Sequence, residues 1–153
     1  MDEPEMEALV YPIIFMIWTL LLYVVHRLCH SVPFLKEIHL HHHNYINNSQ
    51  PVWMWQNILL WSDDWGSTLD LWVTEVIPTL VFCAITGEWW IFAWYWIWTG
   101  FIQEWVEHNP KINIPFLSAG KFHLQHHTNY SVNYSLFFPF WDWVLGTYKD
   151  RDA

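Results

Sequence analysis

The hydrophobic pattern divides the chain before any motif does. Residues 9–25, LVYPIIFMIWTLLLYVV, run 17 positions without a charge. As a helix at 1.5 Å per residue, that run spans ~26 Å, enough for a slightly thin bilayer. Its flanks argue against a cleaved leader, because the preceding residues are acidic and no small-residue cleavage site follows. A second apolar region extends from Leu69 to Val106 and is interrupted at Thr86-Gly87-Glu88. Gly87 among polar neighbours predicts a tight turn, so the region reads as two helices, 69–86 and 88–106. Glu75 and Pro78 weaken the first of them. Between the two regions, Pro51 to Trp65 holds four tryptophans in a stretch too short and too polar at its edges to span. Tryptophan favours the membrane–water boundary, so this stretch predicts a helix lying at the surface. The expected fold is all-α, a single domain over 1–153 that crosses the membrane about three times. An acidic tail, 1–8, comes first, and residues 26–68 and 107–153 form a helical cap.

Composition supports the membrane reading. Hydrophobic residues make up 54% and charged residues 14%, against about 25% charged in soluble domains. The net charge of −9 is partly local, since Asp2, Glu3, Glu5 and Glu7 sit within the first seven residues. No basic patch points to nucleic acid. The six positive residues are Arg27, Lys36, Lys111, Lys121, Lys149 and Arg151. None precedes the first apolar run or lies in the turn at Gly87. The positive-inside rule therefore puts the N-terminus outside and both polar segments in the cytosol. Cys29 and Cys83 are too few and too isolated for a disulfide framework and read as free thiols.

The ten histidines change the question from topology to chemistry. Nine of them are His26, His30, His39, His42, His43, His108, His123, His126 and His127; the tenth is His41. Most fall in three short motifs, HRLCH, HLHHH and HLQHH. The first has i, i+4 spacing, and the others share H-x-x-H-H. On a helix, i+3 lies near −60° and i+4 near +40° from i, so all three point into one sector. Imidazoles at i and i+4 can reach one metal, while the one at i+3 can turn to a second. His41 lies about 200° from His39 and points away. Eight or nine convergent imidazoles are too many for one ion and suit two. Imidazole binds zinc, copper, iron and nickel alike, so ligand type leaves open two irons that use O2 or two zincs with a hydrolytic water.

At HRLCHSVPFLKEIHLHHHNY and HLQHHTNYSVNYSLFFPFWDWVLGTY the chain resembles the fatty acid hydroxylase superfamily, which includes sterol desaturases and sterol methyl oxidases. The asparagine-tyrosine stretch after the third box and the closing WDxxxGTY share the resemblance, which covers residues 9–149. It implies an integral membrane di-iron oxygenase that uses O2 and two electrons to hydroxylate an unactivated C–H bond of a lipid. Desaturation on the same site is the alternative. A membrane metal-binding protein without redox chemistry stands as a reading of another class. By motif position the eight box histidines are the expected iron ligands, and His108 corresponds to a further one. Glu104 takes a place where the family often has histidine or tyrosine, as ligand, hydrogen-bond acceptor or helix-end residue. Asn44, Asn129, Asn133 and Asp142 are candidates to orient the imidazoles. The implied partners are a lipid substrate, the membrane and a separate electron donor such as cytochrome b5 or a ferredoxin with its reductase. Homo-oligomerisation would compensate for a chain short for its family. In a eukaryotic cell the location would be the endoplasmic reticulum membrane, with the active site facing the cytosol.

Overall fold

The first apolar run does form one helix, and it is longer than the run itself. In the computed structural model, which describes residues 3–48 and 52–150, α1 spans Glu3–Cys29. The acidic stretch from Glu3 onward is thus helix rather than a separate tail, while Met1 and Asp2 lie outside the described residues. α2, Pro33–Asn48, follows after a short turn and carries the second histidine motif. No strand occurs among the described residues.

The second apolar region divides at Gly87, as its sequence predicts. Gly87 has φ +80°, and its N–H donates to the Cys83 carbonyl to close the helix before it. A side chain there would strain the left-handed backbone. Both halves are interrupted by widened, π-type turns. The first half runs as α3 (Trp65–Leu71), a π turn over Trp72–Val76, and α4 (Ile77–Thr86). The second runs as α5 (Trp89–Ile97), a π turn over Trp98–Gln103, and α6 (Glu104–Val106). Such turns re-aim side chains within a helix and are common at functional sites. Here they bury Glu75 and Gln103. Pro78, which has no N–H to offer, is accommodated in the first turn of α4.

Pro51–Trp65 does not form the expected surface helix. Pro51 lies outside the described residues, and the remainder contains only a 3₁₀ turn, Trp55–Leu59. The reason is competition from side chains for backbone donors. Asn57 Oδ1 accepts from Met54 N at 2.6 Å, and Asp64 Oδ1 caps α3 by accepting from Gly66 N at 2.7 Å and Ser67 N at 3.0 Å. Indole N–H groups then tie the segment to the helix after Gly87: Trp53 to the Gly100 carbonyl and Trp96 to the Ile58 carbonyl. After α6 the chain runs without helix until α7, Lys121–Thr128, which carries the third motif. It ends in α8, Phe140–Val144.

Two helices, Leu9–Cys29 and Trp65–Thr86, are long and apolar enough to cross a membrane. Trp18 is the knot between the layers. It is fully buried, its indole N–H donates to Thr79 Oγ1 at 3.1 Å, and its ring packs on Trp94, Tyr95 and Phe137. Trp18→Ala would leave a void and an unpaired Thr79. The expected cost is about 3–5 kcal/mol, read as a lowered unfolding midpoint in detergent.

Candidate metal centre

Three helices and one turn bring the nine histidines together. The C-terminal end of α1 supplies His26 and His30, α2 supplies His39, His42 and His43, and α7 supplies His123, His126 and His127. His108 joins them from the turn beyond α6. They sort into two groups: His26, His30, His39, His43 and His126 in one, His42, His108, His123 and His127 in the other. Within each, one ligand atom per residue lies within 4.8 Å of every other. Opposite ligands of an octahedral ion sit about 4.2 Å apart at metal–nitrogen distances near 2.1 Å, so this spread fits one ion per group. The groups share a wall, with the His43 and His127 rings 4.2 Å apart.

The H-x-x-H-H motifs interleave. The i, i+4 pair of α2, His39 and His43, serves the first group and its i+3 residue, His42, the second. In α7 the assignment reverses: His123 and His127 serve the second group, while His126 crosses to the first. Two helices of the same spacing, facing each other, exchange one imidazole each.

Hydrogen bonds fix the ring orientations. His26 Nδ1 donates to the Tyr134 carbonyl and His126 Nδ1 to the Val132 carbonyl, each at 2.7 Å. His39 Nδ1 donates to Asp70 Oδ1 at 2.8 Å. With Nδ1 of His26 and of His39 each committed to an oxygen acceptor, the nitrogen left free on each ring is Nε2. These Nε2 atoms face each other at 3.0 Å. A proton shared between them would place an imidazolium in a buried pocket; a metal cation between them satisfies both lone pairs. His43 Nε2 lies 3.1 Å from His39 Nε2, and His127 Nε2 lies 3.0 Å from His123 Nε2. The donor set therefore fits two imidazole-bound metal ions.

His41 stands apart, as the helical angles require. It is exposed and pairs with Asp64 Oδ1 at 2.9 Å. Asn129, Asn133 and Asp142 are engaged with backbone and side-chain groups other than the imidazoles. Asn133 braces the loop after α7 by donating to Gln125 Oε1 and accepting from Lys149 N. Asp142 accepts from Tyr134 N, Ser135 N and Thr147 Oγ1, so it positions His26 only through the Tyr134 backbone. Asn129 accepts from Ser131 within a turn, and Asn44 is exposed. Glu104 belongs to neither histidine group, and its Oε2 is buried without a partner.

The carboxylates that do face the histidines are Asp70 and Glu107, and the sequence pattern singled out neither. Glu107 Oε1 lies 3.7 Å from His123 Nε2, and Oε2 lies 3.9 Å from His108 Nδ1. Gln103 Nε2 donates to Glu107 Oε2 at 2.9 Å and reaches Glu75 Oε1 at 3.4 Å. Together they line a cavity of about 50 Å³ that touches His26 and His39 of one histidine group and His42, His108 and His123 of the other. The available signal was an acid beside His108 and an acid at the α3 end, visible only once the π turns are known.

The chain matches the profile of the fatty acid hydroxylase family over residues 11–147. It belongs to that family. Among curated relatives, the hydroxylase-family chain is 27% identical to methylsterol monooxygenase 1 of Gallus gallus over 143 residues, 85% of this chain and 45% of the relative. It is 28% identical to methylsterol monooxygenase erg25B of Aspergillus fumigatus over 146 residues, 86% and 45% of the two chains. Delta(7)-sterol 5(6)-desaturase erg3B of the same fungus is 26% identical over 153 residues, 95% of this chain and 41% of the relative. The chain thus spans less than half the length of these relatives. No solved structure matches it.

Burial holds the imidazoles neutral, the form that binds metal. It pushes His42 down to about 4 and His126 to about 3, and drives His43, His108, His123 and His127 well below the usual imidazole range. Neighbouring imidazoles lower most of them further. Unfolded imidazoles titrate near 6.5, so below that pH the unfolded chain binds more protons than the folded one. Stability is therefore full above pH 6.5 and falls as pH drops toward 4, measurable as a decline in the unfolding midpoint.

The geometry separates residues by metal retention. His41→Ala is expected to keep both ions, with a modest loss of stability from its contact to the α3 cap. His42→Ala is expected to release the ion of the four-histidine group. Asp70→Asn should weaken binding about 10- to 100-fold, since an acceptor that orients a ligating histidine is worth that much. Metal content after dialysis against a graded chelator checks all three.

Proposed function

We propose that this chain is the catalytic core of an integral membrane di-iron oxygenase that hydroxylates an unactivated C–H bond of a lipid, a fatty acyl chain or a sterol. The observation that carries the reading is the pair of adjoining histidine groups at one end of apolar helices. Bound there, iron supplies what side chains lack, activation of O2 to an oxidant able to break an alkyl C–H bond. The chain's own residues do the rest. Tyr134, Val132 and Asp70 aim three imidazoles through their Nδ1 atoms. Burial disfavours the charged form of His42, His43, His108, His123, His126 and His127, leaving these imidazoles available as neutral ligands. The apolar helices leading to the histidines suit a substrate that arrives from the bilayer.

The proposed arrangement has three crossings, the third being α5 to α6, with the histidine cap in the cytosol. A separate donor, of the cytochrome b5 or ferredoxin kind, would deliver the two electrons, and a homo-oligomer is part of the proposed arrangement. Desaturation is the second reading, favoured by one observation: a sterol desaturase stands among the relatives.

Lipid profiling of cells expressing the protein, against a His126→Ala control, tests the function. The expected product is heavier than its substrate by one oxygen atom; a product lighter by two hydrogens selects desaturation. The purified protein should hold two irons per chain and consume O2 with a reductant. One zinc per chain and no O2 uptake would reject both redox readings in favour of a metal-binding role.

A further inference from the structure

The loop after the third histidine motif runs back along α1, and α1 serves as a ruler for its depth. Tyr134 stands at the level of the histidines, its carbonyl on His26 Nδ1 and its ring 5.9 Å from Tyr23. Three residues on, Phe137 packs on Trp18 at 5.0 Å, and Phe138 reaches Phe15 at 6.2 Å. The chain then turns at Pro139 and returns. Trp141 donates to Thr19 Oγ1 at 3.0 Å, and Thr147 Oγ1 meets the Tyr23 hydroxyl at 2.8 Å, one turn from His26. Helical rise puts Thr19 about 10 Å and Phe15 about 16 Å along α1 from His26. The loop therefore descends and comes back beside the helix read as a membrane span.

We infer that residues 136–145 form a re-entrant hairpin inserted about halfway into the bilayer, with its outer face in contact with lipid acyl chains. Such an insertion favours polar groups satisfied within the protein, and the bonds that close this loop are internal: Trp143 N donates to the Pro139 carbonyl and Leu145 N to the Trp141 carbonyl. Asp142, the one charged residue in 134–148, is fully buried and accepts from Tyr134 N, Ser135 N and Thr147 Oγ1. Its carbonyl takes Thr147 N and Tyr148 N, while the Phe137 carbonyl takes Ser118 N. Gly146, at φ +73°, supplies the left-handed turn that closes the return arm.

What remains outward is apolar. Phe138, Phe140, Trp143, Val144 and Leu145 are all exposed, Trp143 at 73%. They continue the exposed apolar surface of α1 at the same depth, where Ile17 is 52% exposed. That continuity identifies the occupant as lipid. The consequence for the metal centre is mechanical. The loop's lipid end is anchored in the bilayer, while its other end carries the Val132 and Tyr134 carbonyls that aim His126 and His26.

The inference rests on the spanning role of α1 and is independent of the reaction catalysed. Spin labels at Trp143→Cys and Val144→Cys in lipid nanodiscs test it, with Ile17→Cys and Lys36→Cys as bilayer and aqueous references. Power saturation with O2 and with a water-soluble nickel chelate reports depth, and monodisperse elution verifies folding of each variant. Both loop sites are expected to match Ile17→Cys, with high O2 and low nickel accessibility. A nickel-accessible pattern like that of Lys36→Cys overturns the inference. Labels shielded from both reagents also overturn it, because a protein surface rather than lipid would then cover the hairpin. If Ile17→Cys itself is open to nickel, the spanning role of α1 fails and the inference with it.

Discussion

Nine imidazoles converging on one largely buried volume cannot rest on hydrogen bonds alone, and the structure around them is organised by that constraint. Three rings have Nδ1 committed to fixed acceptors, and at His26 and His39 this leaves two lone pairs facing each other at 3.0 Å. Facing lone pairs repel unless a cation lies between them. The groups that prevent the rings from swinging apart are consequently structural. The Tyr134 and Val132 carbonyls come from the loop after α7, and Asp70 comes from the end of α3. α1, α2 and α7 thus contribute imidazoles, while α3 and the loop after α7 contribute the acceptors that aim three of them.

The interleaved motifs make the two groups interdependent. Because α2 sends His42 across and α7 sends His126 back, neither helix can shift without disturbing both groups. A helix of period 3.6 carrying H-x-x-H-H offers two directions within one sector. Two such helices face to face use both. His41, two positions from His39, takes the remaining direction and is spent on Asp64, the residue that caps α3. That contact links the second motif to the element bearing Asp70.

The apolar helices and the polar cap are joined by unusual local structure rather than by a boundary. The π turns at Trp72–Val76 and Trp98–Gln103 point Glu75 and Gln103 inward within otherwise hydrophobic runs. Gln103 meets both Glu75 and Glu107, and all three line the cavity that touches both histidine groups. Polar residues that weaken a span as sequence are therefore the ones that connect it to the site.

The sequence by itself determined the all-helical class, the helix–turn–helix at Gly87, the nine convergent histidines and the exclusion of His41. These follow from local rules: charge-free length, the positive φ of a glycine turn, and angular spacing on a helix. It did not determine the form of Pro51–Trp65, where Asn57 and Asp64 take backbone donors that a helix would need. Nor did it identify Asp70 and Glu107 as the acids facing the histidines, choosing Glu104, Asn133 and Asp142 instead. Spacing along one helix reports which side chains share a face of that helix. It carries no information about which face of another helix lies opposite, or about a π turn that rotates a span's inner face. Those were decided when α1, α2, α3 and α7 packed together, because only packing brings residues 31 or more positions apart, such as His39 and Asp70, to 2.8 Å.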